Sequence, residues 1–215
     1  MANFKLKEKK LFIFDLDGTL ADAYKAIEKS LNFTRSEMGF APVSFEIVKK
    51  NIGNGDKNFV ACFFSKDNLD KALAIYRAHH KKSLKKYAKL KPCARMLLYN
   101  LKRKKKLVAL ATNRPSYYTN IVLTSLSVKK YFDYVLCADD IKSLKPNPKI
   151  LKMIFKKLNI KKVDAVFVGD MDVDMETAKR AGVDAVFTIG GSSSVGDVKS
   201  YKNKKIVYSL RKFFK

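Results

Sequence analysis

Leu11-Phe-Ile-Phe-Asp-Leu-Asp-Gly-Thr-Leu20 decides how the rest of the chain is read. Leu11 to Phe14 is apolar, with two aromatics and one β-branched residue, and reads as a short buried strand. The run stops at two carboxylates, Asp15 and Asp17, with Gly18 just beyond. A core strand can present a charge only at its end, because a buried lone carboxylate is costly. Two adjacent acids repel, so the pattern calls for a bound Mg²⁺, a nearby lysine or a shared proton. A capping aspartate followed by a turn at Asp17-Gly18 is the plainer alternative for this segment alone.

Outward from this strand the sequence divides. Between Asp22 and about Lys89 there is no strand pattern. Tyr24, Ile27, Leu31 and Phe33 recur near helical spacing up to Gly39, and Pro42 and Ser44 open a second short helix. Asn51 to Asp56, NIGNGD, reads as a glycine turn, followed by an apolar helix over Phe59 to Phe64. Asn68 is placed to cap a longer helix containing Leu69, Leu73, Tyr76 and Leu84. This predicts a helical domain over 22–89, inserted into a second domain made of 1–21 and 90–215.

From Pro92 the pattern alternates. Helices are expected at Ala94 to Arg103, Pro115 to Leu126, Pro148 to Leu158, and up to Ala181 with Gly182 as C-cap. Strands are expected at Leu107 to Ala111, Tyr134 to Ala138, Val163 to Val168 and Ala185 to Ile189, with a short last one at Ile206 to Tyr208. The Ser192 to Ser194 loop is read as mobile, and the chain ends in an apolar-basic tail, Phe213-Phe214-Lys215. Such alternation specifies an α/β fold: a Rossmann-like parallel sheet with helices on both faces and an inserted helical cap. Ligands of these sheets bind beyond the carboxyl ends of the strands. The polar sets Asp15/Asp17, Thr112/Asn113 and Asp170/Asp174 all fall there.

Composition narrows the partners. Lys and Arg number 45 against 20 Asp and Glu, a net charge of +25. The lysines run along almost the whole chain, which favours solvated faces over a nucleic-acid patch, even at the Lys102 to Lys106 cluster. Either way a basic surface draws small anionic substrates toward a cleft. Cys62, Cys93 and Cys137 are isolated and odd in number, which suits a reduced, cytoplasmic protein. No apolar run reaches membrane-span length, and Leu11 to Phe14 is too short for a signal-peptide core. The oligomeric state is left open.

Hard oxygen ligands such as Asp15, Asp17, Asp170 and Asp174 suit Mg²⁺. Thr112 and Asn113 add neutral hydrogen-bonding groups, and Lys145 adds a cation in a loop stiffened by Pro146 and Pro148. Together these describe a phosphoryl-transfer site, in which one aspartate attacks phosphorus and a second handles the proton.

The four motifs occur in order, and the chain resembles a haloacid dehalogenase superfamily hydrolase of the phosphoglycolate phosphatase-like branch. FDLDGTL resembles the family's first motif, LVALATN the second, SLKPNP the third and VFVGDMDVDMETAKRAG the fourth. The resemblance implies Asp15 as nucleophile and Asp17 as general acid/base. It implies Mg²⁺ held by Asp15, the main-chain carbonyl of Asp17 and Asp170, with Asp174 in support. Thr112 and Lys145 would bind the phosphoryl group, with Asn113 beside them. Residues 22–89 resemble the family's cap, with Gly53, Asn54 and Gly55 over the substrate. Asp17 favours phosphate esters over dehalogenation. A sugar-phosphate mutase with the same chemistry is the alternative, as is a non-catalytic phospho-acceptor or nucleic-acid-binding protein. Two departures stand out: Met171 where many relatives carry serine, and Cys93-Ala94 where a glycine turn is common. His79 and His80 are expected on the surface of a helix.

Overall fold

The computed structural model describes residues 4–202 and 204–214. Its strands are β1 (Leu11–Phe14), β2 (Ala21–Asp22), β3 (Lys89–Leu90), β4 (Leu107–Thr112), β5 (Tyr134–Cys137), β6 (Ala165–Gly169), β7 (Asp184–Thr188) and β8 (Lys204–Val207). Six of them form one sheet in the order β5-β4-β1-β6-β7-β8, and every pairing in it is parallel. β1 lies between β4 and β6, with Phe14 level with Leu110 on one side and Val168 on the other. The strand order therefore reverses at β1, which opens the crevice just beyond Phe14.

Alternate residues of each central strand serve two cores, as the two-residue strand period requires. Phe12, Phe14, Val108 and Leu110 face one side, packed on α5 (Ala94–Arg103) and α6 (Ser116–Ser125). Leu11, Ile13, Ala109 and Phe167 face the other, packed on α8 (Lys149–Leu158) and α9 (Asp172–Ala181). Burial on both faces explains why these strands read as continuous apolar runs.

Between β2 and β3 lie α1 (Tyr24–Glu37), α2 (Phe45–Lys50), α3 (Gly55–Ala61) and α4 (Lys66–Tyr87), with an apolar core of their own around Leu31, Val60 and Tyr76. Several expectations need correcting here. β2 and β3 pair antiparallel where the insert leaves and rejoins the sheet, and two-residue strands leave no periodic trace. α3 begins at Gly55 and ends at Ala61, earlier than the Phe59 to Phe64 run. Ser65, not Asn68, is the N-cap residue of α4, and Asn68 lies in its first turn.

Elsewhere a short α7 (Ala138–Ile141) follows β5 directly. Cys93 takes the turn before α5 with φ of 65°, a left-handed conformation that costs a non-glycine residue energy. The final strand begins at Lys204 and ends at Val207, two residues ahead of the Ile206 to Tyr208 expectation at its start and one at its end. The tail forms a 3₁₀ turn over Leu210–Phe214, and Lys215 lies outside the described residues. Among the described residues no helix is long and apolar enough to cross a membrane.

Candidate active site

Asp15 leaves the end of β1 and is buried. Its backbone N–H still donates to Val168 O at 2.9 Å, so the carboxylate is fixed by the sheet. Gly18, at φ of +87°, turns the chain under it, and a Cβ there would strike the Tyr24 hydroxyl and the Asp170 carboxylate. Lys145 arrives from the loop between α7 and α8 and is itself buried. Its ammonium donates to Asp15 Oδ1 at 2.6 Å, Asp174 Oδ1 at 2.7 Å and Ala111 O at 3.2 Å. Among the described residues, Lys145 is the lysine set between two acids.

Asp174 sits in the first turn of α9, where its other oxygen accepts from the N–H groups of Asp170 and Met171. Asp170 follows β6 and accepts from Thr19 Oγ1 at 2.7 Å, Tyr24 Oη at 3.1 Å and Ser192 N at 3.1 Å. Ser192 Oγ also donates to Tyr24 Oη at 3.0 Å, so the expected mobile loop is pinned at its first serine. Nothing in the sequence marks Thr19, Tyr24 or Ser192 as a site residue: Tyr24 reads only as part of a helical stripe and Ser192 as part of a loop.

Carboxylate oxygens of Asp15, Asp170 and Asp174 lie within 4.8 Å of one another, all three residues buried. Burial, with Asp174 adding to it, pushes Asp170 up to about 7. Burial also lifts Asp15 well above the usual carboxylate range, against the pull of Lys145 and with the push of Asp174 and Asp170. Burial opposes the charge on Lys145, but Asp15 and Asp174 outweigh it and raise its pKa. Oxygen-only donors in excess of nearby positive charge fit a hard divalent cation. The Asp17 side chain is not in this cluster.

Asp17 turns instead to Arg114, which the sequence reading passed over. Arg114 Nε donates to Asp17 Oδ2 at 2.8 Å and Nη2 to Oδ1 at 2.9 Å. Its Nη1 donates to His80 Nε2 at 2.9 Å. A guanidinium only donates, so Nε2 accepts and the His80 proton is on Nδ1. That proton points to Ser30 Oγ at 3.0 Å, and Ser30 Oγ donates to Ala26 O at 2.8 Å. His80 is 2% exposed, which corrects its expected surface position; His79 is half-buried and stacks on Phe33. The signal for His80 was its place in the Leu73, Tyr76, Leu84 stripe, four residues from each of the last two.

Thr112 is buried and lines the cavity, with Oγ1 accepting from Arg114 N at 3.2 Å. Asn113 clamps backbone: Oδ1 accepts from Lys145 N at 2.7 Å, and Nδ2 donates to Gly53 O at 2.7 Å and Lys145 O at 3.3 Å. Its amide is thereby committed to holding the loop and the insert. Gly53 and Gly55 both line the cavity at positive φ, whereas Asn54 is exposed and outside the lining. The cavity, of about 70 Å³, is lined by Asp15, Lys145, Arg114 and His80, with Ile27, Phe59 and Tyr76 among its walls.

A family model for haloacid dehalogenase-like hydrolases matches residues 12–188. Phosphoglycolate phosphatase of Colwellia psychrerythraea is 29% identical over 207 residues, covering 92% of each chain. That of Rhodospirillum rubrum is 31% identical over 195 residues, covering 86% of this chain and 81% of its own. The crystal structure of a predicted phosphoglycolate phosphatase from Haemophilus somnus superposes with a TM-score of 0.89 at 22% identity, over 97% of this chain and 99% of that one. With the fold shared throughout and the matched region running from β1 to β7, the chain belongs to the haloacid dehalogenase-like hydrolases.

Proposed function

We propose that this chain, a phosphoric monoester hydrolase of that family, cleaves a small phosphorylated metabolite of the phosphoglycolate type through an aspartyl-phosphate on Asp15, with Mg²⁺ as cofactor. The observation that carries the reading is the Lys145 ammonium set between Asp15 and Asp174 at the end of the central strand. A phosphoryl group there meets a fixed nucleophile and a fixed cation. Asp15, Asp170 and the main-chain carbonyl of Asp17 would hold the metal, with Asp174 in support. Bound there, Mg²⁺ offsets charge on the phosphoryl oxygens.

An Asp15 oxygen forms its bond to phosphorus while the bond to the leaving oxygen breaks. The electron pair departs with that oxygen, which takes a proton from Asp17. A water then returns a proton to Asp17 as its oxygen attacks phosphorus, the bond to Asp15 breaks, and inorganic phosphate leaves. Thr112 and Lys145 bind phosphoryl oxygens. In this reading 1–21 with 90–215 is the catalytic domain, and 22–89 is a cap that lays Gly53 and Gly55 over the leaving group. The names of the relatives support the short-acid end of the substrate range. A cytosolic setting suits the free thiols of Cys62, Cys93 and Cys137.

The test is inorganic phosphate release from a panel of small phosphomonoesters, with Mg²⁺ and with EDTA. Many turnovers per protein with Mg²⁺, and none in EDTA, are expected. A single stoichiometric phosphorylation with no turnover would point to a phospho-acceptor instead.

A further inference from the structure

Arg114 has no part in the chemistry above, yet it occupies the acid. A carboxylate held by both oxygens in a guanidinium fork cannot reach a leaving oxygen while it stays there. Among the described residues lining the cavity, the cations are Lys145 and Arg114, and Lys145 is taken up by Asp15 and Asp174. Arg114 is thus the lining cation not taken up by Asp15 and Asp174, in a cavity whose walls also include Ile27, Ile52, Phe59, Tyr76 and Asp56, the last already paired with Arg77.

We propose that Arg114 selects the leaving group by exchange: an anionic group on the substrate's alcohol takes the fork from Asp17, and this frees Asp17 to act as the acid. The inference rests on the phosphatase reading and names its substrate class, a phosphomonoester whose alcohol bears a nearby carboxylate. The exchange keeps the Arg114 guanidinium paired throughout, because one carboxylate replaces another on it. Asp17, free of the fork, relays a proton from water to the ester oxygen as the phosphorus–oxygen bond breaks, the electron pair staying on that oxygen. A neutral leaving group offers Arg114 nothing in return and leaves Asp17 locked. The cavity of about 70 Å³ favours a leaving group of few atoms, since on this measure one water needs roughly 10–15 Å³. His80 is a positioning residue: neutral, it accepts from Nη1 and aims the fork, with Ser30 fixing its ring.

The experiment compares steady-state phosphate release from 2-phosphoglycolate and ethyl phosphate with Mg²⁺, two esters of equal length that differ by the carboxylate. Wild-type kcat should be at least tenfold higher for phosphoglycolate. Binding alone would lower KM and leave kcat equal, so equal kcat values overturn the exchange. In Arg114→Gln, shown by circular dichroism to be folded, the two kcat values should fall within threefold of each other; a gap that persists overturns the role of Arg114. If Arg114→Gln does not fold, Arg114→Lys replaces it, keeping the charge without the fork, and the gap must still shrink. Turnover of other phosphomonoesters but of neither probe removes this inference and leaves the phosphatase reading standing. No phosphate release from any ester removes both.

Discussion

Lys145 and Arg114 are two buried cations in one cavity, and they are held in different ways. Every acceptor of Lys145 comes from the sheet and its helices: Asp15 after β1, Ala111 in β4, Asp174 in α9. Arg114 bonds Asp17 on the same side but also His80 in α4, which leans on Ser30 in α1. The Lys145 ammonium is therefore positioned from the sheet side, the insert adding Tyr24 on Asp170 and, through Asn113, a backbone contact at Gly53. The leaving-group end is complete only with the helical insert in place. Electrostatic work at the first end should depend less on the insert than selectivity at the second.

The sharpest test at the sheet end is Asp15→Asn, which keeps the size but removes the nucleophile. Turnover should fall by about a thousandfold or more, ~4 kcal/mol of transition-state stabilisation. A purified, folded variant keeping more than about a tenth of wild-type kcat would remove Asp15 from that role.

Next in size is metal binding. Mg²⁺ at about 100 times its Kd should stabilise the folded chain by ~2.7 kcal/mol, raising Tm by roughly 5–10 °C. Asp170→Ala should abolish the shift. A melting curve indifferent to Mg²⁺ and EDTA would break the sheet-end half of the comparison.

Gly53→Val perturbs the insert end. Gly53 has φ of +130°, and a Cβ there would run into Met171. We expect kcat/KM for phosphoglycolate to drop at least about tenfold, ~1.4 kcal/mol, and that for p-nitrophenyl phosphate much less, because its binding depends little on remote contacts. The Mg²⁺ shift in Tm should survive this substitution. Equal losses for both esters would mean that Gly53 supports the sheet end too.

The smallest effect is on stability against pH. Burial, and then Arg114, hold the His80 pKa well below its usual value. The unfolded chain takes up a proton below about pH 6.5 that the folded chain refuses. Stability present at neutral pH is therefore lost as pH falls below that value. The groups facing His80 are Arg114 from the loop after β4, Tyr118 from α6, Ser30 from α1, and Tyr76 and His79 from its own helix. His80→Gln should flatten this slope, measured by urea denaturation between pH 7 and pH 5. An unchanged slope would assign it to other groups.

The strand ends could be read from the sequence because each is an apolar run cut off by a polar residue. A parallel sheet then brings all such ends to one edge without further information. Lys145 could be placed by its motif, though not its three acceptors. Arg114 lies one residue past Asn113 in a loop, where no period marks a buried side chain. His80 falls on the face of Leu73, Tyr76 and Leu84, but a histidine in a lysine-rich helix reads as polar. Thr19, Tyr24 and Ser192 converge on Asp170 from three separate segments, and such convergence exists only after folding.

The pairing of Ala21–Asp22 with Lys89–Leu90 brings the two ends of the insert out of the core side by side, and Lys91 N continues the pairing to Leu20 O. A splice of this kind can be cut and refilled without rerouting any other strand. On the proposed reading, catalysis and choice of substrate are separable units of inheritance, and a lineage could exchange everything strung between the two short strands while its phosphoryl machinery stayed fixed. Arg114 is the point of friction in such an exchange. A transplanted insert with no acceptor at the position of His80 would strand one of its donors, so these two residues should change in concert.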